Sequence, residues 1–415
     1  MLRGRFTGGA SAEEWCERRL LARIHRLTLG RLRREIEPVE PATLMRFLLR
    51  WQHAAPGTQL HGRDGIAAVV AMLQGVEVAA PAWEEQVLPA RIRQYDAADL
   101  DALCLAGTVT WGRLTPGPSP LEPDGDAAPP RAGRRRAGVS RAVPIALVMR
   151  EDLPAFLERA DGAAEPAGLS HAAREVVRYL RERGASFLPE IARAVRRLPA
   201  EVESALWELV ACGVVTGDGF AGLRQLMQGT SRGRRHHRRA LALVGARAAG
   251  RSLPAGRWAP WRAGTDPADA DERLDVWARQ LLRRYGVVFR DLLTRERGAP
   301  AWRLLAERYR RWEAQGTIRG GRFAHGFTGE QYALPEALEA LRAVRRAPDE
   351  TDAVVISSAD PLNLMGIVLP GTRVPSQSGL AIALRNGVPV DVAPLGALLA
   401  RLRLASAGRV PAARQ

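Results

Sequence analysis

The sequence predicts a mainly helical α+β protein in which a helical unit with a terminal hairpin is repeated and a small β-rich, barrel-like module follows. Three observations predict this fold class. An apolar-periodic helix followed by a glycine and a β-branched run occurs three times. Stretches rich in Pro, Gly and Arg separate the copies, and strand-like apolar runs replace the helical pattern from Asp352 onward.

The repeated unit has the plan of a winged helix. In each copy a glycine follows the last helix, at the position where a positive φ is needed, and another helical pattern lies upstream. A winged helix has the order helix, helix, strand and hairpin. Its last helix can enter a groove of nucleic acid, and its hairpin, the wing, reaches the phosphates. The three copies are "DLDALCLAGTVTWGRL" (99–114), "VESALWELVACGVVTGDGFAGL" (202–223) and "LLAERYRRWEAQGTIRGGRF" (304–323).

The changes in composition divide the chain into seven parts. The first residues, "LRGRFTGG", read like the later "IRGGRFAHGFTGE", so we expect the chain to begin within a wing and to be the C-terminal part of a longer protein. A chance match of these residues is the alternative. The predicted parts are a remnant wing with a connecting helix (1–37), a winged helix (38–115), a Pro/Gly/Arg linker with a short strand (116–165), a winged helix (166–228), a basic linker (229–265), a winged helix (266–347) and the β-rich module (348–415).

The charge of the chain favours a polyanionic partner and excludes several chemistries. The net charge is +16 over 415 residues, and all 61 basic residues are arginine. Codon bias explains arginine in place of lysine, but it leaves the positive excess unexplained. Without lysine, a P-loop, a protein-kinase site and Schiff-base catalysis cannot operate within this chain.

The cysteine and histidine patterns do not indicate a metal site or a disulfide framework. Cys16, Cys104 and Cys212 lie far apart and form no CxxC pair. The pair His236-His237 has no cysteine or carboxylate at ligand spacing. We therefore predict no metal and no cofactor in this chain, in a reducing cytoplasm. No apolar run reaches the length of a membrane span.

The wings supply the first candidate nucleic-acid contacts. Arg319, Arg322 and Phe323 belong to the glycine-rich third wing, where the backbone can approach a sugar-phosphate and arginine can grip phosphate oxygens. A solvated hairpin is the alternative. Trp111 and Arg113 hold the equivalent place in the first copy. Trp111 either stacks on an unpaired base or belongs to the core.

Two arginine-rich runs supply further candidates. They are expected to add affinity that is independent of sequence, through release of counterions. The alternative is a solvated linker with incidental charge. The candidate residues in them are Arg134, Arg135, Arg136, Arg234 and Arg235.

Two carboxylates are candidates for catalysis. A glycosylase that acts on a flipped base needs a carboxylate to activate water or to steady a cationic sugar. Asp360 in "SSADPLN" and Glu330 in "TGEQY" are the residues that suit this role. The alternatives are structural, because Asp-Pro favours a turn and Glu330 lies just before a predicted helix.

Six blocks of the sequence resemble the Lhr family, the large helicase-related proteins of bacteria. They cover most of the chain outside the two predicted linkers, and they look like the C-terminal extension of the long Lhr proteins and not like the helicase core. The blocks are "RRLLARIHRLTLGRLRREIEPV" (18–39), "MRFLLRWQH" (45–53), "LPARIRQYD" (88–96), "RRYGVVFRDLL" (283–293), "RGGRFAHGFTGEQYALPEA" (319–337) and "SSADPLNLMGIVLPGTRVP" (357–375).

The resemblance implies a role beside an ATPase. The resemblance implies that the longer proteins are ATP-dependent superfamily 2 translocases that move 3′-to-5′ on single-stranded DNA in repair. It also implies that their C-terminal part consists of winged helices with a β-rich module and that this part can oligomerise. This part is also similar to winged-helix alkylpurine DNA glycosylases, and a uracil-DNA glycosylase activity has been ascribed to it. This chain has no Walker A or DExH motif, and no catalytic residue of those relatives matches a motif in it.

From the residues and the resemblance together we expect a nucleic-acid-binding C-terminal part of an Lhr-type DNA repair helicase. The alternatives are a DNA glycosylase for uracil or alkylated bases and an oligomerisation module. The expected partners are single-stranded or forked DNA or RNA, a helicase core upstream or in trans, and further copies of the chain, but no membrane. ATP and Mg²⁺ are expected only with that core, and the expected location is the cytoplasm, at the nucleoid.

Overall fold

The computed structural model describes residues 1–4, 12–34, 37–115, 143–157, 168–227, 256–262, 268–350 and 352–407. Three parts of the chain share one order of elements: helix, short strand, helix, helix, strand and strand. In each part the strands form an antiparallel sheet in which the last strand lies between the other two. This confirms the predicted winged-helix plan, with the two final strands as the wing. Residues 62–149 form the first winged helix, 171–260 the second and 270–333 the third.

The first and second winged helices differ mainly in the form of their second helix. The first has a segment whose middle is π-helical, whereas the second has a regular short helix. The first winged helix consists of Gly62–Leu73, strand Val78–Ala79, the helical segments Ala80–Ala82, Trp83–Val87 and Leu88–Arg91, helix Ala97–Leu105, and strands Val109–Gly112 and Pro144–Met149. The second consists of His171–Arg183, strand Ser186–Phe187, helices Leu188–Ala194 and Pro199–Ala211, and strands Val215–Gly217 and Arg257–Pro260. Smaller elements accompany the first: strands Leu60–His61 and Ile92–Arg93, and helices Arg150–Asp152 and Leu153–Phe156.

The third winged helix has a 3-10 helix in the second position. Its last helix ends at a glycine, as do the last helices of the other two, and Gly107, Gly213 and Gly316 have φ values of 76°, 74° and 79°. The predicted helix-ending glycines are thus confirmed. The elements are helix Ala270–Tyr285, strand Val287–Val288, 3-10 helix Arg290–Arg295, helix Trp302–Ala314, and strands Arg319–Gly321 and Gln331–Ala333.

The two stretches predicted as linkers between domains do not separate domains. In the sequence, the arginine-rich part of each falls between two strands that pair in one wing. Val109–Gly112 pairs with Pro144–Met149, and Val215–Gly217 pairs with Arg257–Pro260. Residues 116–142, the first insertion, therefore fall between the two strands of one hairpin. Residues 228–255, the second insertion, come in the sequence between helix 220–227, which follows strand Val215–Gly217, and strand Arg257–Pro260. Their Pro, Gly and Arg composition resembles that of an interdomain linker, so composition alone does not separate the two cases.

The wings of the first and second winged helices pack against each other and run in opposite directions. Thr216 Oγ1 donates to the carbonyl of Trp111. An added Cβ on Gly213 would lie 3.1 Å from the carbonyl oxygen of Arg113, and one on Gly217 would lie 3.2 Å from the ring of Trp111. Residues later in the first wing thus contact residues earlier in the second, so the two wings are antiparallel. The two winged helices share one hydrophobic cluster as a result.

An N-terminal hairpin and two helices lie outside the winged helices. Strands Leu2–Gly4 and Glu14–Cys16 pair antiparallel, and helix Arg18–Arg34 follows them. Helix Pro41–Trp51 buries its apolar face and packs on helix Pro335–Arg346, which follows the third wing. Both belong to the hydrophobic cluster of the third winged helix.

The C-terminal module is an open sheet, not the predicted barrel-like one. Within residues 352–407 the sheet has three antiparallel strands, Val354–Ser357, Leu380–Arg385 and Val388–Pro394, followed by helix Leu395–Ala407. Three strands cannot close a barrel, so one face packs on the main core and the other on the helix. The hairpin predicted at Asn386-Gly387 is present, with φ values of 50° and 75°.

Candidate nucleic-acid interface

The last helix of the third winged helix, Trp302–Ala314, carries arginines on its outer side. Leu305 and Tyr309 are buried on the inner side, whereas Arg303 and Arg310 are exposed. Residues seven apart on a helix lie on the same face, so these two arginines point the same way. In the winged-helix plan this is the helix that can enter a groove of nucleic acid.

A depression of about 450 Å³ opens on this face. It is lined by Arg290, Trp302, Arg303, Ala306 and Arg310. Three of the five lining residues therefore carry a positive charge. Arg290 and Arg303 are exposed and make no ion pair with any residue of the described ranges. The depression concentrates positive charge around an indole ring, which is suited to a phosphate beside a flat apolar group.

Arg310 is tied to the wing by Glu330. Its Nε and Nη2 donate to Glu330 Oε2 at 2.9 and 2.6 Å, and Tyr332 donates to the same oxygen at 3.0 Å. Arg33, on the N-terminal helix, lies 3.9 Å from the other carboxylate oxygen. Glu330 thus bridges the last helix, the wing and the N-terminal helix.

The environment of Glu330 keeps it ionised. Partial burial alone would raise the pKa of Glu330, but the hydrogen bonds from Arg310 and Tyr332 and the charges of Arg310 and Arg33 outweigh it and lower that pKa. The carboxylate is therefore negative at neutral pH, which suits a group that steadies a cation and does not suit a proton donor.

The third wing exposes two of its three predicted contact residues. The side chains of Arg319 and Arg322 are exposed, and neither makes an ion pair with any described residue. Phe323 is 1% exposed and belongs to the core. Its backbone N–H donates to Gln331 Oε1, and its carbonyl accepts from Val39, so the chain before helix Pro41–Trp51 holds it inward.

In the first wing, neither predicted contact residue has an exposed side chain. Trp111 is fully buried, and its ring meets those of Phe220 and Trp258 edge to face, at centroid distances of 6.1 and 6.0 Å. Arg113 is half-buried and donates to the carbonyl of Ala211 at 2.5 Å. The second winged helix covers this wing, so Trp111 has no face open to a base.

Asp360 is buried in an ion pair. It is 1% exposed, and its two oxygens accept from Arg91 at 2.7 and 2.8 Å. One oxygen also accepts from the backbone N–H of Leu362, as in the predicted Asp-Pro turn. Arg91 in turn donates to Gln52, which bonds the carbonyl of Arg284. Asp360 therefore joins the C-terminal module to the first winged helix, and its carboxylate does not face solvent.

The remaining predicted contacts lie outside the described residues. Arg134, Arg135 and Arg136 belong to the first insertion, and Arg234 and Arg235 belong to the second. In the sequence, each run falls between the two strands that pair in one wing.

Sequence reasoning missed Arg290, Trp302, Arg303 and Arg310. The seven-residue spacing of Arg303 and Arg310 on the last helix was the available signal. Among the described residues, no group of three or more His, Cys, Asp and Glu could hold a metal ion. No helix in the described part of the chain is both long and apolar enough to cross a bilayer.

In comparisons with known proteins, two regions of the chain match models of one family. Residues 39–122 match the third winged-helix domain of the large helicase-related protein Lhr, and residues 267–353 match the fourth. A Mycolicibacterium smegmatis protein named "Lhr helicase/ probable uracil glycosylase" is 29% identical over 93% of this chain and 25% of its own length. The Escherichia coli "Lhr helicase/uracil glycosylase" is 28% identical over 90% of this chain and 25% of its own length. The chain thus spans about a quarter of the length of these relatives, and its similarity is to the Lhr C-terminal region.

Proposed function

We propose that this chain, a counterpart of the C-terminal region of Lhr helicases, binds nucleic acid through its third winged helix. The observation that carries the proposal is a set of exposed arginines on one winged helix that make no ion pair with any residue the structure describes. Arg319 and Arg322 belong to the wing, Arg303 lies on the last helix, and Arg290 lies on the preceding 3-10 helix. Wing and last helix are the two parts that reach a nucleic acid in this fold.

The binding is expected to be mainly electrostatic. Arginines that contact phosphates release counterions, so the logarithm of affinity falls with the logarithm of salt concentration, by about 0.7 per phosphate on a single strand. The net charge of +16 adds attraction at long range. DNA is the expected partner because both relatives are named as Lhr helicases.

The test is a salt titration with a matched pair of double variants. Affinity for a labelled single strand of about 16 nucleotides is measured by fluorescence anisotropy for Arg319→Gln/Arg322→Gln. We expect the salt slope to fall by about 1.4, because two phosphate contacts are lost. Arg342→Gln/Arg385→Gln is the control, since both of these arginines are exposed but lie away from the third wing.

Two results would contradict the proposal. If wild-type binding did not change with salt, the electrostatic basis would be refuted. If the two double variants lost the same affinity, overall charge and not the third wing would be responsible. The same titration with a duplex and with an RNA strand of equal length ranks the possible partners.

A second candidate function is removal of uracil from DNA. Both relatives carry uracil glycosylase in their names. The test is incubation with a uracil-containing oligonucleotide followed by alkali, which cuts the strand where a base has been removed. A product that survives both Asp360→Asn and Glu330→Gln would remove those carboxylates from the mechanism. An uncut strand with the wild-type chain would end this candidacy.

Unwinding and assembly are further proposals that involve more than this chain. We propose that an ATPase core, upstream or in trans, supplies the helicase activity, because the chain spans a quarter of proteins named helicases. Mixing the chain with such a core should raise the rate at which a forked duplex is opened. Mass photometry with and without residues 352–415 tests whether the C-terminal module assembles copies of the chain.

A further inference from the structure

The groove of the third winged helix has a second compartment beside the arginine-lined depression. It measures about 560 Å³ and shares Arg290 and Trp302 with its neighbour. Asp291, Thr294 and Thr328 lie on its other sides and provide polar atoms. Sites for small ligands have volumes of about 300–1,000 Å³, so each compartment can take part of a nucleotide.

The indole ring of Trp302 lies between the two compartments and is held in place by neighbouring rings. Its ring is half-buried, and its centroid lies 6.3 Å from the ring centroids of Tyr309 and Tyr332. These contacts hold the indole in place from the protein side. An aromatic ring fixed on one side and open on the other needs little ordering before a second flat ring stacks on it.

The charges around Trp302 are arranged for one phosphate. Arg290 and Arg303 have no ion-pair partner among the described residues, whereas Arg310 is held by Glu330. A phosphate in the depression would compete with Glu330 for Arg310. Two free arginines and one restrained arginine thus surround the space beside the indole.

We propose that this groove holds one unpaired nucleotide, with its base stacked on Trp302 and its phosphate among Arg290, Arg303 and Arg310. The proposal rests on the nucleic-acid binding proposed above and adds a site and a strand form to it. Bases in a duplex hide their faces in the stack, so only an unpaired base can lie on Trp302. The groove therefore favours single strands or the unpaired arm of a fork.

The first test separates stacking from charge. Affinities of wild type and Trp302→Phe, Trp302→Leu and Trp312→Leu are compared on an oligothymidine strand and on a strand of equal length and charge without bases. Trp312 lies on the same helix and is also half-buried, but it does not line the groove, so it is the matched control. Circular dichroism verifies that each variant is folded.

We expect Trp302→Leu to weaken binding of the oligothymidine about 5–150-fold, the range that loss of one stacked base gives. Trp302→Phe keeps a ring and should retain most of the affinity. Binding of the strand without bases should be the same for wild type and Trp302→Leu. Trp312→Leu should leave both affinities unchanged.

The second test concerns Glu330. Glu330→Gln removes the charge that holds Arg310, so Arg310 becomes available to the phosphate and affinity should rise. Arg290→Gln and Arg303→Gln should each lower the salt slope by about 0.7. A fall in affinity with Glu330→Gln would overturn the assigned place of the phosphate.

The outcomes distinguish this proposal from the one on which it rests. If wild type binds single strands with a strong salt dependence but Trp302→Leu binds both strands as wild type does, the groove proposal is overturned and the general binding stands. If Trp302→Leu weakens both strands equally, stacking is refuted as well. If wild type binds neither strand, both proposals fail.

Discussion

At the scale of the residue, the structure assigns Asp360 to an interaction between parts of the chain. Arg91 and Asp360 are both fully buried, and each satisfies the other with two hydrogen bonds. A buried pair of this kind adds little net stability over an apolar pair, but removal of one partner leaves a buried charge without compensation. The residue that sequence reasoning selected for chemistry is thus placed to hold the C-terminal module on the first winged helix.

Asp360→Asn is expected to destabilise the protein and not only to alter an activity. The variant leaves Arg91 buried without a counter-charge, so the free energy of unfolding should fall by about 3–5 kcal/mol. Urea unfolding followed by circular dichroism measures it. Asp391→Asn, whose partner Arg401 is exposed, is the control and should cost at most about 1 kcal/mol.

Replacing both residues of the ion pair provides a second test. Arg91→Met combined with Asp360→Leu should recover much of the loss, because no charge is then left alone. An unchanged urea midpoint for Asp360→Asn together with lost cleavage of uracil-containing DNA would instead make Asp360 catalytic.

At the scale of the element, the Asn386-Gly387 hairpin fits tightly against helix Pro41–Trp51. Gly387 has a φ of 75°, and a Cβ added there would lie 1.9 Å from the backbone carbonyl oxygen of Ala42. The turn conformation and the close approach both require glycine at this position. The hairpin therefore sets the distance between the C-terminal module and the main core.

Gly387→Ala is expected to lower the free energy of unfolding by about 2–5 kcal/mol, because backbone strain and overpacking add. Gly379→Ala is the matched control: its φ is 70°, but an added Cβ would meet no atom within 4 Å. Only the strain of about 1–2 kcal/mol applies there. Equal urea midpoints for the two variants would show that the contact with Ala42 is not tight in solution.

The elements show what sequence could and could not predict. The helix-ending glycines and the Asn-Gly hairpin were predictable, because local backbone geometry selects the residue type. The burial of Trp111 and Phe323 was not predictable, because whether an aromatic side chain of a wing lies in the core depends on what packs over that wing. The groove around Trp302 joins two helices and a wing loop, so its residues are distant in the sequence and only the fold brings them together.

At the scale of the whole molecule, each arginine-rich insertion interrupts the sequence of one wing. A strand before each insertion pairs with the strand after it, with helix 220–227 standing before the second insertion, so the fold does not need the insertions to connect its domains. The two insertions differ in charge. Residues 116–142 contain five arginines and three carboxylates, whereas residues 228–255 contain seven arginines and no carboxylate.

Replacing each insertion with a short Gly-Ser turn is expected to leave the fold intact, because loop length has a small effect on stability, about 0.6 kcal/mol per doubling. Removal of residues 228–255 should reduce the salt slope of nucleic-acid binding more than removal of 116–142. Far-UV circular dichroism and the anisotropy titration measure the two effects. Equal slopes for the two deletions would contradict a role for the net charge of the insertions.

The opposed directions of the first two wings have a consequence for the length of the bound strand. The described chain enters the first insertion after Thr115 and the second after helix 220–227, so we expect the two insertions to contact a strand at two separate points. Once one insertion is engaged, the other meets a long strand at a high effective concentration, and avidity results. We therefore expect affinity to rise steeply once the strand is long enough to engage both insertions.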